Sequence, residues 1–164
     1  MIDPTTPKDF LSKHHVSEDG DMIRKVYLTK GWYTRELNFY LKMQDKIDFI
    51  PKMIKNDPET KTIWFENCGL SLAEKYDYLT RLTYKPKIKV LVEELKKFGI
   101  HHNDVRWKNV LENNDGKLFL IDFEASSNQY TDIDREHILN PRNEVIKVKN
   151  EKTTNNTRIT DTRL

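Results

Sequence analysis

Three polar side chains flank a predicted hairpin in the second half of the chain. Asp104 and Asn109 lie in a polar loop before one apolar run, and Asp122 follows a second apolar run, residues 118–121. Residues 113–116 read Asn-Asn-Asp-Gly, which predicts a turn between the two runs. We expect such a hairpin to carry Asp104 and Asn109 toward Asp122. Their oxygens would suit a hard divalent cation such as magnesium, with room left for phosphate oxygens.

A lysine and a glutamate form a second candidate pair. Lys25 lies in the alternating run 22–28, which predicts a strand with Lys25 and Tyr27 on the same face. Glu36 lies beside the apolar face of a helix that the following residues predict. The alternative is that both side chains are unrelated surface charges.

The loop and the hairpin together resemble a known family. His102 and Asp104 precede Asn109 in the pattern H-x-D-x-x-x-x-N, and a turn, a strand and Asp122-Phe123 follow. This arrangement resembles the catalytic and metal-binding loops of the protein-kinase-like superfamily. The resemblance implies that Asp104 accepts the proton of the attacking hydroxyl and that Asn109 and Asp122 hold magnesium. His102 would brace the loop. The alternative is an ordinary polar hairpin with solvated side chains.

The same resemblance assigns roles to the lysine and glutamate pair. Lys25 would contact the phosphates of ATP, and Glu36 would pair with Lys25 and orient it. Arg24 and Lys30 are the nearest competitors for the role of the lysine. Strand alternation and distance from the predicted helix favour Lys25 over both.

A strand followed by a short connector resembles the hinge of a kinase. An adenine would bind backbone groups near Glu66 and Cys68, with Phe65 close to the gatekeeper position. An ordinary strand-to-helix loop is the alternative for this segment. In the catalytic loop, Arg106 or Lys108 would steady the phosphate as its charge shifts during transfer.

The resemblance implies an α+β fold, a minimal two-lobed protein-kinase-like fold. We expect an N-lobe over residues 1–66, with a small antiparallel sheet and one helix. A reduced helical C-lobe with the catalytic loop would cover residues 67–140. Residues 141–164 are rich in Lys, Asn, Thr and Arg, and their composition predicts a disordered tail.

Periodicity and turn residues predict the remaining elements. They include a helix that starts near residue 31 and a capping box at Ser71 and Glu74. Further predictions are a hairpin of runs 10–16 and 22–28, strands at 49–54 and 62–66, a helix over 86–98 that ends at Gly99, and a short helix within 132–139.

The departures from the family pattern also carry information. No glycine-rich loop precedes Lys25, Glu124 stands where the family has glycine, and no Ala-Pro-Glu follows. The chain therefore resembles compact, atypical members such as RIO-like kinases and small-molecule or lipopolysaccharide kinases. The resemblance implies an ATP- and magnesium-dependent phosphotransferase that acts on a hydroxyl of a protein or small molecule. The alternative is a catalytically inactive pseudokinase that serves as a binding module.

Composition narrows the expected partners and location. The 164 residues suffice for one domain with a core, and the net charge of +2 does not favour nucleic acid as a partner. Binding of nucleic acid through the basic tail remains a third alternative. The single cysteine, Cys68, and the lack of a long apolar run predict a soluble cytoplasmic protein without membrane contact.

Two further expectations concern metals and partners. The adjacent histidines His14-His15 and His101-His102 lack a zinc-ligand spacing, so no histidine metal site is expected. Because the C-lobe is short, a second copy of the chain or a partner protein is expected to complete the substrate site.

Overall fold

A computed structural model describes residues 14–130 and 137–140. The fold is α+β, with a four-stranded antiparallel sheet, a three-stranded sheet and helices. The described residues group into two compact units, one of residues 14–70 with 111–124 and the other of the rest. The predicted boundary after residue 66 stays a prediction. Within the described residues, no helix combines the length and hydropathy that crossing a membrane requires.

A four-stranded antiparallel sheet forms the first unit's framework, with the strand order β1-β2-β4-β3. Lys25 lies in β2 and pairs in register with Val16 of β1 and Ile63 of β4. The central position of β2 therefore holds Lys25 between two neighbouring strands. The strands are β1 (His14–Asp19), β2 (Met22–Tyr27), β3 (Met53–Asp57) and β4 (Thr62–Glu66).

The first hairpin differs from its prediction at one strand. The sequence predicted a first run over 10–16, but β1 continues to Asp19, which pairs with Met22. Gly20, with a φ of +61°, and Asp21 form the turn, so two residues connect the strands. Glycine adopts this backbone region without steric cost. Residues 10–13 lie outside the described part of the chain.

Helix α1 (Lys30–Met43) follows β2, as the sequence predicted. The side chain of Thr29 caps it by accepting a hydrogen bond from the amide of Trp32. Glu36 was predicted beside the apolar face, but it lies within that face and is only 1% exposed. A carboxylate can be buried there only because it has hydrogen-bond and charge partners.

The predicted strand at 49–54 is wrong in its position, because β3 covers Met53–Asp57. Pro51 has no N–H to donate to a ladder, and the carbonyl of Phe49 accepts the amide of Leu120 instead. Phe49 and Ile50 are buried in the core of the first unit. Their apolar character therefore reflects packing rather than strand pairing.

A second sheet has the order β5-β6-β7, formed by β5 (Leu70–Ser71), β6 (Val110–Glu112) and β7 (Leu118–Leu120). Strands β6 and β7 are the predicted hairpin, and the side chain of Asn113 accepts the amide of Lys117 within its turn. β5 was not predicted. Gly69 precedes β5 with a φ of +94°, and a Cβ there would lie 2.4 Å from the carbonyl oxygen of Glu112. Only glycine permits so close an approach.

Among its described residues, the second unit contains three α-helices, α2 (Leu72–Lys75), α3 (Tyr78–Leu82) and α4 (Lys85–Lys97). The predicted capping box of α2 is present, because Ser71 and Glu74 bond reciprocally. Helix α4 buries an apolar stripe and is followed by Gly99 with a φ of +68°, as expected of a helix end. Most of the predicted helix at 132–139 and the whole tail lie outside the described residues.

Candidate functional site

Lys25 lies among buried charged side chains in the first unit. Its Nζ donates to Oε2 of Glu36 at 2.6 Å and to Oδ1 of Asp122 at 2.5 Å. Oε2 of Glu124 lies 3.9 Å from the same nitrogen. The predicted pair of Lys25 and Glu36 is therefore present. Arg24 is exposed, because strand alternation turns it to the opposite face of β2.

Both carboxylate oxygens of Glu36 have partners within the first unit. Oε2 accepts the hydroxyl of Tyr27 as well as Lys25, and Oε1 accepts the amide of Phe123 at 3.3 Å. Burial is the main cause of a raised pKa of Tyr27, and the charge of Glu36 is the second, so this hydroxyl stays protonated and remains a donor. Glu36 thus ties α1, β2 and the segment after β7 together.

The charge of Lys25 is held by its carboxylate partners. Burial by itself lowers the pKa of Lys25, but the attraction of Glu36 and Asp122 outweighs burial and raises the pKa to about 12. Lys25 is therefore a fixed cation at neutral pH, a group suited to contact phosphate oxygens.

Asp122 has an unusual backbone conformation for a residue other than glycine. Its φ is +73°, in the left-handed region, where such residues typically store about 1–3 kcal/mol of strain. The next residue, Phe123, is buried and stacks on Phe39 with ring centroids 3.9 Å apart and an interplanar angle of 8°. Packing of Phe123 and the hydrogen bond to Glu36 hold Asp122 against Lys25.

His14 and Glu124 also lie beside Lys25 and Asp122, and neither was predicted as a site residue. Nδ1 of His14 lies 3.2 Å from Oε2 of Glu124, and Nε2 of His14 lies 3.9 Å from Oδ1 of Asp122. Placing a two-residue turn between β1 and β2 would have predicted His14 as a site residue. With that turn, the strand register pairs His14 with Tyr27, on the same face of the sheet as Lys25. Glu124 gave no local signal. We call His14, Lys25, Glu36, Asp122 and Glu124 the lysine cluster.

The second unit contains the loop that follows α4. Oδ2 of Asp104 accepts a hydrogen bond from the side-chain Nδ2 of Asn109 at 2.9 Å, and Oδ1 of Asp104 lies 2.6 Å from Nε of Arg106. Nδ1 of the buried His102 accepts the amide of Asp104, as expected for a bracing residue. The structure therefore brings together Asp104, Arg106 and Asn109. It orients the carboxylate of Asp104 through two neighbours in the same loop.

Asn103 anchors this loop and was missed by the sequence reasoning. Its φ is +62°, and its Nδ2 donates to the carbonyl of Ala125 at 3.3 Å and to the hydroxyl of Ser127 at 2.9 Å. His101 pairs with Ser127 through two backbone hydrogen bonds. Asparagine tolerates the left-handed region, which is the signal that could have identified it.

The predicted hinge residues have well-defined surroundings in the first unit. Phe65 packs on Tyr40 with ring centroids 4.7 Å apart. The amide of Glu66 donates to the carbonyl of Lys52, and its side chain accepts the amide of Lys52. Cys68 is buried, and burial followed by the charge of Glu66 raises the pKa of its thiol to about 12. Adenine binding by these residues stays a prediction, and the amide of Glu66 already has a protein partner.

No protein-family model matches the sequence. No curated protein matches it either. The structure is similar to a crystal structure of monomeric WbdD, with a TM-score of 0.59 and 18% identity over 85% of this chain and 37% of that chain. It is also similar to a medium-resolution structure of WbdD, described as a bifunctional kinase-methyltransferase, with a TM-score of 0.56 and 19% identity over 85% of this chain and 34% of the other.

This likeness shows the fold. The expected α+β fold, a reduced kinase-like fold with a small antiparallel sheet and helices, is confirmed. The chain spans about a third of the length of these WbdD chains. Because one fold hosts many activities, the function must be argued from the residues themselves.

Proposed function

We propose that this protein is a phosphotransferase that moves the γ-phosphate of ATP to a hydroxyl group. The observation that carries the proposal is the position of Lys25, whose ammonium contacts both Glu36 and Asp122. This is the lysine and glutamate pair that kinase-like phosphoryl transfer requires, joined to the aspartate that follows the hairpin. The kinase activity in the description of WbdD supports the same reaction class.

Asp104 is the proposed proton acceptor. The acceptor hydroxyl would give its proton to Asp104 as its oxygen bonds to the γ-phosphorus. The bond from that phosphorus to the bridging oxygen breaks, and ADP leaves with the electron pair. Arg106 and Asn109, which contact the carboxylate of Asp104, would hold it in place.

A divalent cation fits the donor set of this chain. Asp122 offers a carboxylate, and the amide nitrogen of Asn109 donates to Asp104, so the Asn109 oxygen is its candidate ligand atom. Hard oxygen donors of this kind suit magnesium, which would neutralise phosphate charge during transfer. In the proposed nucleotide complex, phosphate oxygens replace Asp122 as partners of Lys25.

The first test is thermal unfolding with ATP, with and without magnesium. A ligand at a hundredfold excess over its Kd stabilises the folded state by about 2.7 kcal/mol. We expect a magnesium-dependent rise in Tm for the parent chain and its loss in Asp122→Ala. Asp115→Ala is the control, because Asp115 is exposed in the hairpin turn. No rise in the parent chain would contradict the proposal.

One observation favours a second candidate, a pseudokinase that binds a partner without transferring phosphate. Glu124 adds a carboxylate 3.9 Å from Lys25, where the family has a glycine without a side chain. A further negative charge there opposes the approach of phosphates. Stable folding without any response to ATP, combined with no transfer to any acceptor, would favour this candidate.

A further inference from the structure

Three groups that can ligate a metal ion converge within the lysine cluster. His14, Asp122 and Glu124 each offer one ligand atom, and these atoms lie within 4.8 Å of one another. Nδ1 of His14 is already 3.2 Å from Oε2 of Glu124. Neighbouring ligand atoms in an octahedral site with bonds of about 2.1 Å lie about 3 Å apart. Small side-chain rotations would therefore close this group around an ion.

The charge of the cluster favours a cation. Its three carboxylates and one ammonium leave two net negative charges when His14 is neutral. Unbalanced charge among buried side chains is costly, and a divalent cation would neutralise it. The ammonium of Lys25 contacts Glu36 and Asp122 directly but lies farther from Glu124, which leaves Glu124 directed toward His14.

We propose that His14, Asp122 and Glu124 bind one divalent first-row transition-metal ion, such as Mn²⁺ or Co²⁺, through an imidazole nitrogen and carboxylate oxygens. Imidazole is a ligand of first-row transition metals and carboxylates suit Mn²⁺, so a set of one imidazole and two carboxylates fits these ions, whereas Mg²⁺ is held mainly by oxygen. The inference rests on the proposed function for the use of the ion, which would meet nucleotide phosphates at Asp122. It adds the expectation that Mn²⁺ supports transfer better than Mg²⁺ does.

Neither His14 nor Glu124 belongs to the family pattern that identified Asp122. His14 arrives on β1, paired in register with Tyr27, and Glu124 occupies the glycine position of that pattern. A glycine at 124 would leave this group with one carboxylate and one imidazole. The two additions thus supply most of the proposed ligand set.

The test measures metal binding without nucleotide. The full chain is freed of metal with a chelator and titrated with Mn²⁺ by calorimetry, and the complex is then studied by electron spin echo spectroscopy. We expect one ion per chain and a coupling from a directly bound nitrogen. Growth on ¹⁵N-histidine should replace this ¹⁴N coupling by a ¹⁵N coupling, with no substitution in the chain.

Substitutions identify which histidine is bound. His14→Gln and Glu124→Gln should each weaken Mn²⁺ binding at least about tenfold, since even outer-shell changes typically cost that much. His14→Gln should also abolish the nitrogen coupling. His15→Gln is the matched control, because His15 is exposed and points to the opposite face of β1. It should bind Mn²⁺ as the parent does.

The outcomes separate this inference from the proposed function. Absence of Mn²⁺ binding, binding without nitrogen coupling, or equal weakening by His15→Gln would overturn the metal site. If Mg²⁺ and ATP still raise Tm in that case, the phosphotransferase proposal stands. If Mn²⁺ binds through His14 but ATP never changes Tm, the metal site stands and the phosphotransferase proposal fails.

Discussion

Lys25 donates a 2.5 Å hydrogen bond to Asp122, although the two lie 97 positions apart in the sequence. The contact joins the central strand of the first sheet to the segment after the hairpin. Both side chains belong to the same compact unit. A charge pair with this sequence separation depends on the whole unit being folded, so it reports on tertiary structure and chemistry together.

Removing the ammonium of Lys25 should destabilise the fold. Lys25→Met leaves buried carboxylates without their cation, and breaking a buried ion pair typically costs about 3–5 kcal/mol. Urea unfolding should show this loss, and the double variant Lys25→Met with Glu36→Gln should lose less than the sum of the single variants. Lys30→Met, at an exposed residue, should change stability by less than about 0.5 kcal/mol. Additive losses would contradict direct coupling.

Asp104→Asn should strongly slow phosphoryl transfer and preserve nucleotide binding. The amide keeps the shape of the side chain but cannot accept the proton of the acceptor hydroxyl. General base catalysis typically contributes 10²–10⁴-fold, so we expect transfer to fall by about that factor. Transfer is measured as ADP formed in an acceptor screen, and binding as the rise in Tm with ATP. Unchanged transfer would remove Asp104 from the reaction, and Asp115→Asn controls for loss of a carboxylate.

Two glycines allow backbone strain to be separated from steric clash. Gly69 and Gly116 have φ values of +94° and +77°, but only at Gly69 would a Cβ meet another atom, the carbonyl oxygen of Glu112 at 2.4 Å. Gly116→Ala should cost about 1–2 kcal/mol from its backbone conformation alone. Gly69→Ala should cost clearly more, because β6 must also move. If the two variants lose the same free energy of unfolding in urea, the segment before β5 must move easily enough to relieve the clash.

The thiol of Cys68 should resist alkylation and make stability sensitive to alkaline pH. Burial raises its pKa to about 12, whereas an unfolded cysteine titrates near 8.5. Between these values the unfolded chain loses the proton and the folded chain keeps it. The free energy of unfolding should therefore fall as pH rises, by up to about 2 kcal/mol at pH 10 from this group.

Cys68→Ala is the variant that isolates this contribution. Its free energy of unfolding should decline less steeply between pH 8 and 10.5 than that of the parent chain, because the contribution of the thiol is gone. Some decline should remain, because the buried tyrosines contribute in both proteins. Iodoacetamide should modify native Cys68 at pH 8 far more slowly than it modifies the urea-unfolded chain. Rapid modification of the native protein would contradict the buried position of Cys68.

Local sequence was sufficient for the elements that carry Lys25 and Glu36. Alternation placed Lys25 and Tyr27 on the same face of β2, and helical spacing identified α1. Elsewhere in the chain, the capping box at Ser71 marked the start of α2. These signals depend on neighbouring residues alone. The position of β3 could not be predicted in this way. The buried residues Phe49 and Ile50 have the composition of a strand but do not belong to one.

The complete lysine cluster did not follow from local sequence either. Glu124 meets Lys25 and His14 only because Asp122 adopts a left-handed φ and Phe123 packs on Phe39. Both conditions depend on contacts between distant segments. The family pattern has a glycine at this position and gave Glu124 no role in the site, whereas the structure shows the Glu124 side chain pointing into the cluster.

The position of β1 in the sheet has a consequence for how firmly the cluster is held. Among the described residues, β1 pairs with β2 along one edge only, while β2 has neighbours on both sides. Amide hydrogens of β1 should therefore exchange with solvent through local fraying, and those of β2 only through larger openings. Each fraying event would withdraw the imidazole of His14 and leave Lys25 and its carboxylates in place. The imidazole can therefore leave the cluster and return to it while the rest of the unit stays folded.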